Sequence, residues 1–502
     1  MDKIPETDRD CIHSNLLIKG RYFIMENRVL AAIEPKNVMR FFEELCQLPH
    51  GSGNTEAATE WALKFAKERS LACRRDELGN VVIWKDATPG YEDHPTVMLQ
   101  GHLDMVCVND TDVEHDFTKD PLNLYVEDGY IKARGTTLGG DNGLAIAMSM
   151  AVLDDDTMPH PPLEVLMTVD EEVGMLGAVG LDGSDLKSKY LINIDSDVEG
   201  VLTVGCAGGA RSGITMPVAA SEAKGAICTL DLDGLSGGHS GVAINEGFAN
   251  ANKLMADLLN TLGELRLVSV VGGTADNAIP STANAVIVVD EDKVERVKAA
   301  AESWAGYAKA AAPKDPGFTF TFESKVGTAK ALSVEESKKA VDLLLAVPNG
   351  IQKMNPDMPD QVQTSLNLGM VSMEDGALRL TFSLRSGVAA EKDEMAAELR
   401  TISEKFGADY RQSGDYPAWE YRSESVLRDT MVRIYTEQYG KAPVVETIHA
   451  GLECGVLMSK VPGLDAVSCG PNLLEIHSTR ERAEIASIER TWKYLSAVLA
   501  AL

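Results

Sequence analysis

The sequence predicts an α/β fold in which a doubly wound mixed sheet is interrupted by a separate α+β domain. Short apolar runs alternate with helical patterns up to Cys206, the chain then becomes glycine-rich, and a helix and strand pattern returns near Tyr416. Strands that alternate with helices are typical of doubly wound sheets. Because 502 residues exceed the usual content of one hydrophobic core, we expect more than one domain.

The first domain is expected to begin with two helices and to continue with four buried strands. Apolar residues at helical spacing follow Pro35, and a second helix begins near Thr55. Uninterrupted apolar runs bounded by turn residues then predict strands of a mostly buried sheet. The strands are expected at residues 80–84, 96–100, 163–169 and 190–194, with a helix at 143–153.

The inserted domain and the C-terminal part follow from the remaining patterns. Within the insertion, strands are predicted at 227–232, 285–289 and 378–384, and an alanine-rich helix at 294–311. A helix at 423–439, a strand at 464–468 and a helix at 486–502 are expected to complete the first domain. The predicted division is an N-terminal extension over 1–27, the first part of the first domain over 28–205, the inserted lid domain over 206–412 and the second part of the first domain over 413–502.

Charge and composition exclude several classes of function. The chain has 76 acidic and 47 basic residues and a net charge of −29, which disfavours binding to phosphates. We therefore expect no nucleic-acid partner and no membrane partner. The eight cysteines show no metal-binding spacing, and the acidic N-terminus lacks a signal-peptide pattern. A cytoplasmic location is expected.

Acidic and histidine side chains follow three successive predicted strands at one edge of the sheet. They are His102 and Asp104 after the second strand, Asp170, Glu171 and Glu172 after the third, and Asp195 after the fourth. Asp141 lies among glycines just before a helix, where it is either a ligand or a helix N-cap. Carboxylates and imidazoles without cysteine suit zinc, manganese or cobalt. The pattern therefore predicts a two-metal hydrolase centre.

Several short motifs occur in an order that resembles a known family. They are GHLDMV (101–106), ARGTTLGGDNG (133–143), EEVGM (171–175), INIDSDVEG (192–200), CAGG (206–209), GGHSG (237–241), NAIP (277–280), HAGLECG (449–455) and HS (477–478). The chain resembles the aminoacyl-histidine dipeptidases, also called Xaa-His dipeptidases or peptidase D, of the M20 metallopeptidase family. The resemblance extends from about Met25 to the C-terminus. It implies hydrolysis of unblocked dipeptides, Xaa-His dipeptides among them.

The resemblance also implies a role for each site residue. Two Zn²⁺ ions, replaceable by Co²⁺ or Mn²⁺, would be bridged by Asp141; His102 and Asp195 would complete one site, and Glu172 and His477 the other. Glu171 would be the general base for the bridging water, and Asp104 would orient His102. The family commonly follows the last histidine with a Ser/Thr-Pro-Asp/Glu run. Here His477 is followed by Ser-Thr-Arg, and we retain it as a ligand.

The insertion is expected to be a ferredoxin-like lid, single or doubled, that carries the substrate contacts. The resemblance places His239 beside the scissile carbonyl, with Asn277 and Arg385 as further contacts and Arg385 suited to a free carboxylate. Spacing alone favours a turn residue for Asn277 and a strand-end ion pair for Arg385. The resemblance reverses both interpretations. A doubled lid would let His239 act within its own subunit, so that a homodimer would be optional.

The remaining histidines and Glu453 are expected outside the metal site. His13, His50, His94, His115 and His160 are expected at the surface. His449 is expected near the cleft, where Glu453 would meet the amine of the substrate.

Three alternative functions remain open from the sequence. Within the family, a tripeptidase or an acylamino-acid deacylase would share the metal core. A serine hydrolase is the second alternative, because the GLSGG segment fits the GxSxG nucleophile elbow with Ser236 as nucleophile. However, glycines follow Ser236 where an elbow requires a helix. A non-catalytic metal-dependent binding protein is the third alternative, although Glu171 and every expected ligand are present.

Overall fold

The computed structural model describes residues 28–502, and the predicted extension over 1–27 lies outside the described residues. The α-helices are α1 (Lys36–Leu45), α2 (Glu56–Glu68), α3 (Gly140–Asp154), α4 (Leu176–Gly180), α5 (Ala251–Leu262), α6 (Val294–Ala311), α7 (Val334–Ala346), α8 (Ala389–Lys405), α9 (Val426–Tyr439), α10 (Glu453–Lys460) and α11 (Ile485–Leu499). The strands that precede the insertion are β1 (Ala72–Arg75), β2 (Val81–Lys85), β3 (Val97–His102), β4 (Leu124–Glu127), β5 (Tyr130–Ala133), β6 (Leu163–Thr168), β7 (Tyr190–Asn193) and β8 (Val201–Cys206). The later strands are β9 (Gly208–Pro217), β10 (Ser221–Asp233), β11 (Gly238–His239), β12 (Arg266–Gly272), β13 (Ala278–Ile279), β14 (Ala283–Val289), β15 (Thr319–Ala331), β16 (Gly350–Met354), β17 (Val362–Glu374), β18 (Ala377–Ser386), β19 (Asp409–Tyr416), β20 (Val444–Ile448), β21 (Asp465–Ser468), β22 (Leu473–Leu474) and β23 (Arg482–Glu484).

The first domain is built on an eight-stranded mixed sheet with the order β1-β2-β6-β3-β7-β21-β8-β20. Strands β6, β3 and β7 are neighbours and run parallel to one another. Alternate residues of β6 enter different cores. Val165 lies in the core that contains residues of α1, α3 and α11, whereas Leu166 lies in the core that contains residues of α4 and α10. Helices therefore cover both faces of the sheet, which explains why its central strands are continuously apolar.

The second sheet has nine strands, eight of them in the order β15-β10-β14-β12-β17-β18-β9-β19, with β16 paired to β17. Its elements form two βαββαβ units. The first is β10-α5-β12-β14-α6-β15, and the second is β9-α7-β17-β18-α8-β19. In each unit the strands lie in the spatial order 4-1-3-2, which is the ferredoxin-like arrangement. The two units join where β12 pairs with β17, so the insertion is a doubled rather than a single unit.

The predicted elements agree with the observed ones to within a few residues. The alanine-rich helix is α6, and the alternating strand before Arg385 is β18, which continues through Arg385 to Ser386. The predicted boundary at 412 falls inside β19, which stays paired with β9 as far as Tyr416. The second sheet therefore continues past that boundary. Among residues 28–502, no helix is both long and apolar enough to cross a membrane.

Candidate active site

The candidate site lies at the carboxyl ends of three adjacent parallel strands. His102 is the last residue of β3, Glu171 and Glu172 follow β6, and Asp195 follows β7. The register pairs His102 with Thr168, so these ends meet at the same edge of the sheet. This edge is where open α/β sheets usually bind ligands. The structure thus brings together side chains that are almost 100 residues apart in sequence.

Asp141 reaches this edge in the first turn of α3, where Asp141 and Asn142 have non-helical dihedral angles. We call this turn and the residues just before it the Asp141 loop, and it packs closely against β3. A Cβ atom at Gly101 would lie 2.3 Å from Oδ1 of Asn142, so only glycine permits this approach. Asn142 accepts a hydrogen bond from the main-chain N–H of His102 at 3.2 Å and donates Nδ2 to the carbonyl of Ile194 at 2.7 Å. The residue after Asp141 therefore joins the ends of β3 and β7.

A buried glutamate holds the other side of the Asp141 loop. Glu481 accepts hydrogen bonds from four consecutive main-chain N–H groups, those of residues 138–141, at 2.7 to 3.2 Å. Its side chain comes from the segment that follows His477. The pKa of Glu481 is raised to about 7 because burial outweighs these hydrogen bonds. One carboxylate therefore connects the loop of Asp141 to the loop of His477.

Five side chains form two groups that share Asp141. In one group, Nε2 of His102 lies 3.3 Å from Oδ1 of Asp141 and 3.6 Å from Oδ1 of Asp195. In the other, Nε2 of His477 lies 3.2 Å from Oδ2 of Asp141 and 3.0 Å from Oε1 of Glu172. Each group offers three ligand atoms within 4.8 Å of one another. Asp141 presents one oxygen to each group, as a bridging carboxylate does.

Asp104 supports both His102 and the loop after β6. Nδ1 of His102 hydrogen-bonds the main-chain carbonyl of Asp104 at 2.9 Å, whereas the Asp104 carboxylate is 3.5 Å away. That carboxylate accepts hydrogen bonds from the main-chain N–H groups of Glu171 and Glu172 and from the Ser52 hydroxyl. Burial opposes its ionisation, but His102 and these donors lower the pKa of Asp104. Asp104 therefore orients His102 mainly through its main chain.

Two loops that carry candidate ligands have strained backbones. Asp170, just before Glu171, has φ of 55°, and His477 has φ of 59°. Left-handed conformations are uncommon for residues other than glycine. The carboxylate of Asp170 accepts a hydrogen bond from the N–H of Gly53 at 2.6 Å, which helps to hold the loop. Such strain is often found at functional sites.

The electrostatics of the site favour bound cations. Burial raises the pKa of Glu171 to about 9 and that of Asp195 to about 6. Hydrogen bonds to Asp141 and Glu172 raise the pKa of His477 to about 10. Oε1 of Glu172 is buried and lies 3.0 Å from Nε2 of His477. Because clustered buried carboxylates repel one another unless positive charge compensates, the donor set of carboxylates and imidazoles fits two divalent cations.

The three expected substrate contacts form a second cluster in the insertion. Nη2 of Arg385 lies 3.3 Å from Nε2 of His239, and Arg385 is buried. Strand β11, which contains His239, pairs with β13, and the N–H of Ser240 donates to the carbonyl of Asn277 at 2.8 Å. Nε of Arg385 has no hydrogen-bond partner in the described part of the chain. One N–H group of the Arg385 guanidinium is therefore left unpaired among the described residues.

His449 connects this cluster to the rest of the molecule. Its Nε2 hydrogen-bonds Oγ of Ser365 at 2.7 Å, and Ser365 pairs with Arg385 across β17 and β18. A Cβ at Gly241 would come within 2.5 Å of the His449 carbonyl, so the GGHSG segment also touches it. Burial lowers the pKa of His449 to about 3, which keeps its imidazole neutral.

Comparison with known proteins now places the chain in a family. The profile of peptidase family M20/M25/M40 matches residues 98–501. The chain belongs to this family. It is 38% identical over 476 residues to the cytosol non-specific dipeptidase of Escherichia coli K12, covering 94% of this chain and 98% of that protein. The M20 peptidase predicted from the motifs is confirmed, and the protein is a hydrolase of a family in which metal dependence is typical.

Solved structures agree with this assignment. The aminoacylhistidine dipeptidase from Vibrio alginolyticus superimposes with a TM-score of 0.89 at 34% identity, covering 94% of this chain and 98% of that one. The aminopeptidase PepT from Bacillus cereus superimposes with a TM-score of 0.56 at 17% identity, covering 93% and 98%. The second comparison shows a shared fold alone. The predicted α/β fold with an inserted lid is confirmed.

Some sequence-based assignments were wrong or incomplete. His50 and His160 are buried rather than at the surface, because their side chains turn inward from loops. Glu453 has no exposed surface and cannot meet a substrate amine. Ser236 donates its hydroxyl to the carbonyl of Lys314, and no helix follows it directly. The elbow hypothesis is therefore wrong.

Two supporting residues, Asn142 and Glu481, were not predicted. Asn142 directly follows Asp141, so its position next to a ligand was the available signal. Glu481 lies four residues after His477, but its partners are more than 300 residues earlier in the chain. Only the tertiary structure shows that contact.

Proposed function

We propose that this protein is a metal-dependent dipeptidase that cleaves the peptide bond of unblocked dipeptides, Xaa-His dipeptides among them. The observation that carries the proposal is the pair of ligand groups that share Asp141, with the carboxyl group of Glu171 beside them. The names of the two relatives, a cytosol non-specific dipeptidase and an aminoacylhistidine dipeptidase, support the substrate class. The first name also supports a cytoplasmic location.

We assign the metal ligands as His102, Asp141 and Asp195 for one cation and Asp141, Glu172 and His477 for the other. Two Zn²⁺ ions fit these donors, and Co²⁺ or Mn²⁺ would also fit. When bound, such cations polarise a peptide carbonyl and lower the pKa of water to about 7. His102 is held in one orientation by its hydrogen bond to the carbonyl of Asp104, which leaves Nε2 free to bind.

Glu171 is the proposed general base. Its main-chain N–H is bonded to Asp104 at 3.0 Å, which fixes the start of its side chain at the site. Its burial makes the carboxylate a stronger base than an exposed glutamate. Nearby cations would bring its pKa back towards neutrality, where it can take a proton from water and pass it to the leaving amine.

The insertion supplies the proposed substrate contacts. His239 would stabilise the developing oxyanion of the scissile carbonyl. Arg385 is suited to bind the free C-terminal carboxylate, because its guanidinium can form a bidentate contact and lies beside His239. Asn277 would complete the binding surface. Because the insertion is doubled, we propose that His239 acts within its own subunit and that dimerisation is optional.

The test is hydrolysis of a substrate panel by the zinc-loaded protein and by Glu171→Gln, with the metal content of both measured. The panel contains Xaa-His dipeptides, β-alanyl-histidine, other dipeptides, tripeptides and N-acyl amino acids. We expect cleavage of dipeptides by the wild type and a loss of at least 100-fold in kcat in the variant, with both metals retained. Glu164→Gln is the matched control, since Glu164 is a buried carboxylate at the other end of β6.

The alternatives give different results in the same panel. Faster cleavage of tripeptides would indicate a tripeptidase, and cleavage confined to N-acyl amino acids would indicate a deacylase. A protein that binds both metals and cleaves nothing would be a metal-dependent binding protein. Loss of wild-type activity on dilution to the monomer would contradict a site that is complete in one subunit.

A further inference from the structure

The buried glutamate at the start of α10 contacts two of the strands that end at the metal site. Oε2 of Glu453 accepts a hydrogen bond from Nε2 of Gln100 at 2.5 Å and from Oγ1 of Thr168 at 2.7 Å. Gln100 lies in β3 two residues before His102, and Thr168 ends β6 three residues before Glu171. One oxygen atom therefore joins the two strands from behind the site.

The third strand joins the same network through Gln100. Nδ2 of Asn193 donates to Oε1 of Gln100 at 2.6 Å, and Asn193 ends β7 two residues before Asp195. Gln100, Thr168 and Asn193 are all fully buried. Every strand end that carries an assigned ligand or the base is thus bonded, directly or through one side chain, to Glu453.

The segment that ends in Glu453 begins in the substrate cluster. His449, four residues earlier, is bonded to Ser365 of the second sheet. A Cβ at Gly451 would lie 2.8 Å from the ring of Tyr416 and 3.3 Å from Met175, which belongs to the loop of Glu171. Residues 449–453 therefore connect the insertion to the buried hydrogen-bond network of β3, β6 and β7.

We propose that Glu453 is a positioning residue that sets the relative positions of the metal-binding strand ends through the two hydrogen bonds accepted by Oε2. It contacts neither substrate nor any assigned ligand in the described structure. Its action is indirect. If the acceptor is lost, Gln100 keeps its 3.1 Å hydrogen bond to Oγ1 of Thr168 and Thr168 keeps a 3.4 Å contact with the carbonyl of Gly101. The shorter bonds that fix the ends of β3 and β6 relative to α10 are gone, so these strand ends can shift. Outer partners of this kind commonly change metal affinity or activity by about 10- to 100-fold. The consequence for catalysis rests on the proposed dipeptidase function.

Two substitutions of Glu453 separate its hydrogen bonds from its charge. In Glu453→Gln, the amide oxygen can accept both hydrogen bonds while the NH₂ group occupies the position of Oε1, which has no partner in the described residues. In Glu453→Met, a side chain of similar length accepts neither. We expect the glutamine variant to stay within threefold of wild type in zinc affinity and kcat. We expect the methionine variant to lose roughly 10- to 100-fold in both, with KM changed less than threefold.

Glu164→Met is the matched control for loss of a buried carboxylate. Glu164 lies in the same strand as Thr168 and accepts hydrogen bonds from Ser188 and from the main chain of Lys187. It is at the other end of β6 from the site, so its loss should lower the melting temperature but leave zinc affinity unchanged. Thr168→Val removes one donor with little change in shape and should weaken zinc binding by roughly three- to tenfold.

Zinc affinity is measured by competition with a chelator, so the proposal is tested even if the wild type does not cleave dipeptides. Wild-type affinity in Glu453→Met would overturn the proposal. An equal loss in Glu164→Met would also overturn it, because general loosening of the sheet would then explain the effect. If Glu453→Gln is as impaired as Glu453→Met, charge rather than the hydrogen bonds is responsible, and the proposal is again wrong. Should Glu453→Met fail to fold, wild-type affinity in Thr168→Val would decide against it.

Discussion

The raised pKa of Glu171 predicts how the stability of the metal-free protein depends on pH. With a pKa of about 9 in the folded protein and about 4.3 in an unfolded chain, this carboxyl group binds more protons folded than unfolded between these values. Stability must therefore fall as pH rises through this interval. His477, with a pKa raised to about 10, acts in the same direction above pH 6.5. Removal of metal should make the protein less stable at pH 8 than at pH 6.5.

The magnitude follows from linkage. Where one group keeps an extra proton in the folded state, each rise of one pH unit lowers the free energy of unfolding by about 1.4 kcal/mol. Between pH 6.5 and 8, Glu171 alone contributes about 2 kcal/mol, or roughly a 30-fold change in the ratio of folded to unfolded protein. Glu171→Gln cannot titrate and should lose this part of the pH dependence. Bound zinc should oppose the destabilisation, so the stabilisation by zinc should grow with pH.

The assay is urea unfolding of the first domain, followed by circular dichroism and tryptophan fluorescence at several pH values between 6.5 and 8. Wild type and Glu171→Gln are compared, each without metal and with zinc. Glu481, whose pKa is raised to about 7, and Lys253, whose pKa is lowered to about 8, also titrate in this interval. They do so in both proteins, so the difference between the two pH slopes reports Glu171. Equal pH slopes for the two metal-free proteins, or stability that rises with pH, would refute the reasoning.

Two further predictions concern the Asp141 loop and the substrate cluster. Glu481→Gln should weaken zinc binding and lower the melting temperature, because the single amide oxygen can accept hydrogen bonds from only some of the four N–H groups. The loss of charge-assisted hydrogen bonding is about 3 kcal/mol. Chelator competition measures the zinc affinity and calorimetry the melting temperature, and unchanged zinc affinity would contradict the assigned role. Arg385→Lys should raise KM for dipeptides at least tenfold with a smaller change in kcat, because lysine cannot form the bidentate contact. Dipeptide amides, which lack the carboxylate, serve as the control, and an equal effect on both substrates would show that Arg385 does not bind that group.

The local sequence was sufficient to predict the central parallel strands of the first sheet and the residue types at their carboxyl ends. Apolar runs such as β3 and β6 are buried on both faces, so their pattern follows directly from the chemistry of burial. Three of the five candidate ligands, His102, Glu172 and Asp195, lie at or just after the ends of these parallel strands. Asp141 lies at the start of α3, and His477 lies in the loop between β22 and β23. The motif order then identified the family that the comparisons confirm.

The tertiary structure alone decided how these pieces are held together. Glu481 bonds to main-chain groups some 340 residues away, and Glu453 reaches Gln100 from 353 residues later. Neither contact has a local signal, because a buried acceptor needs donors that only folding brings near it. The doubled insertion is also non-local, since one βαββαβ unit is enclosed between the first strand and first helix of the other. Side-chain burial at His50 and His160 depended on which way each loop turned, and hydrophobic periodicity does not encode that direction.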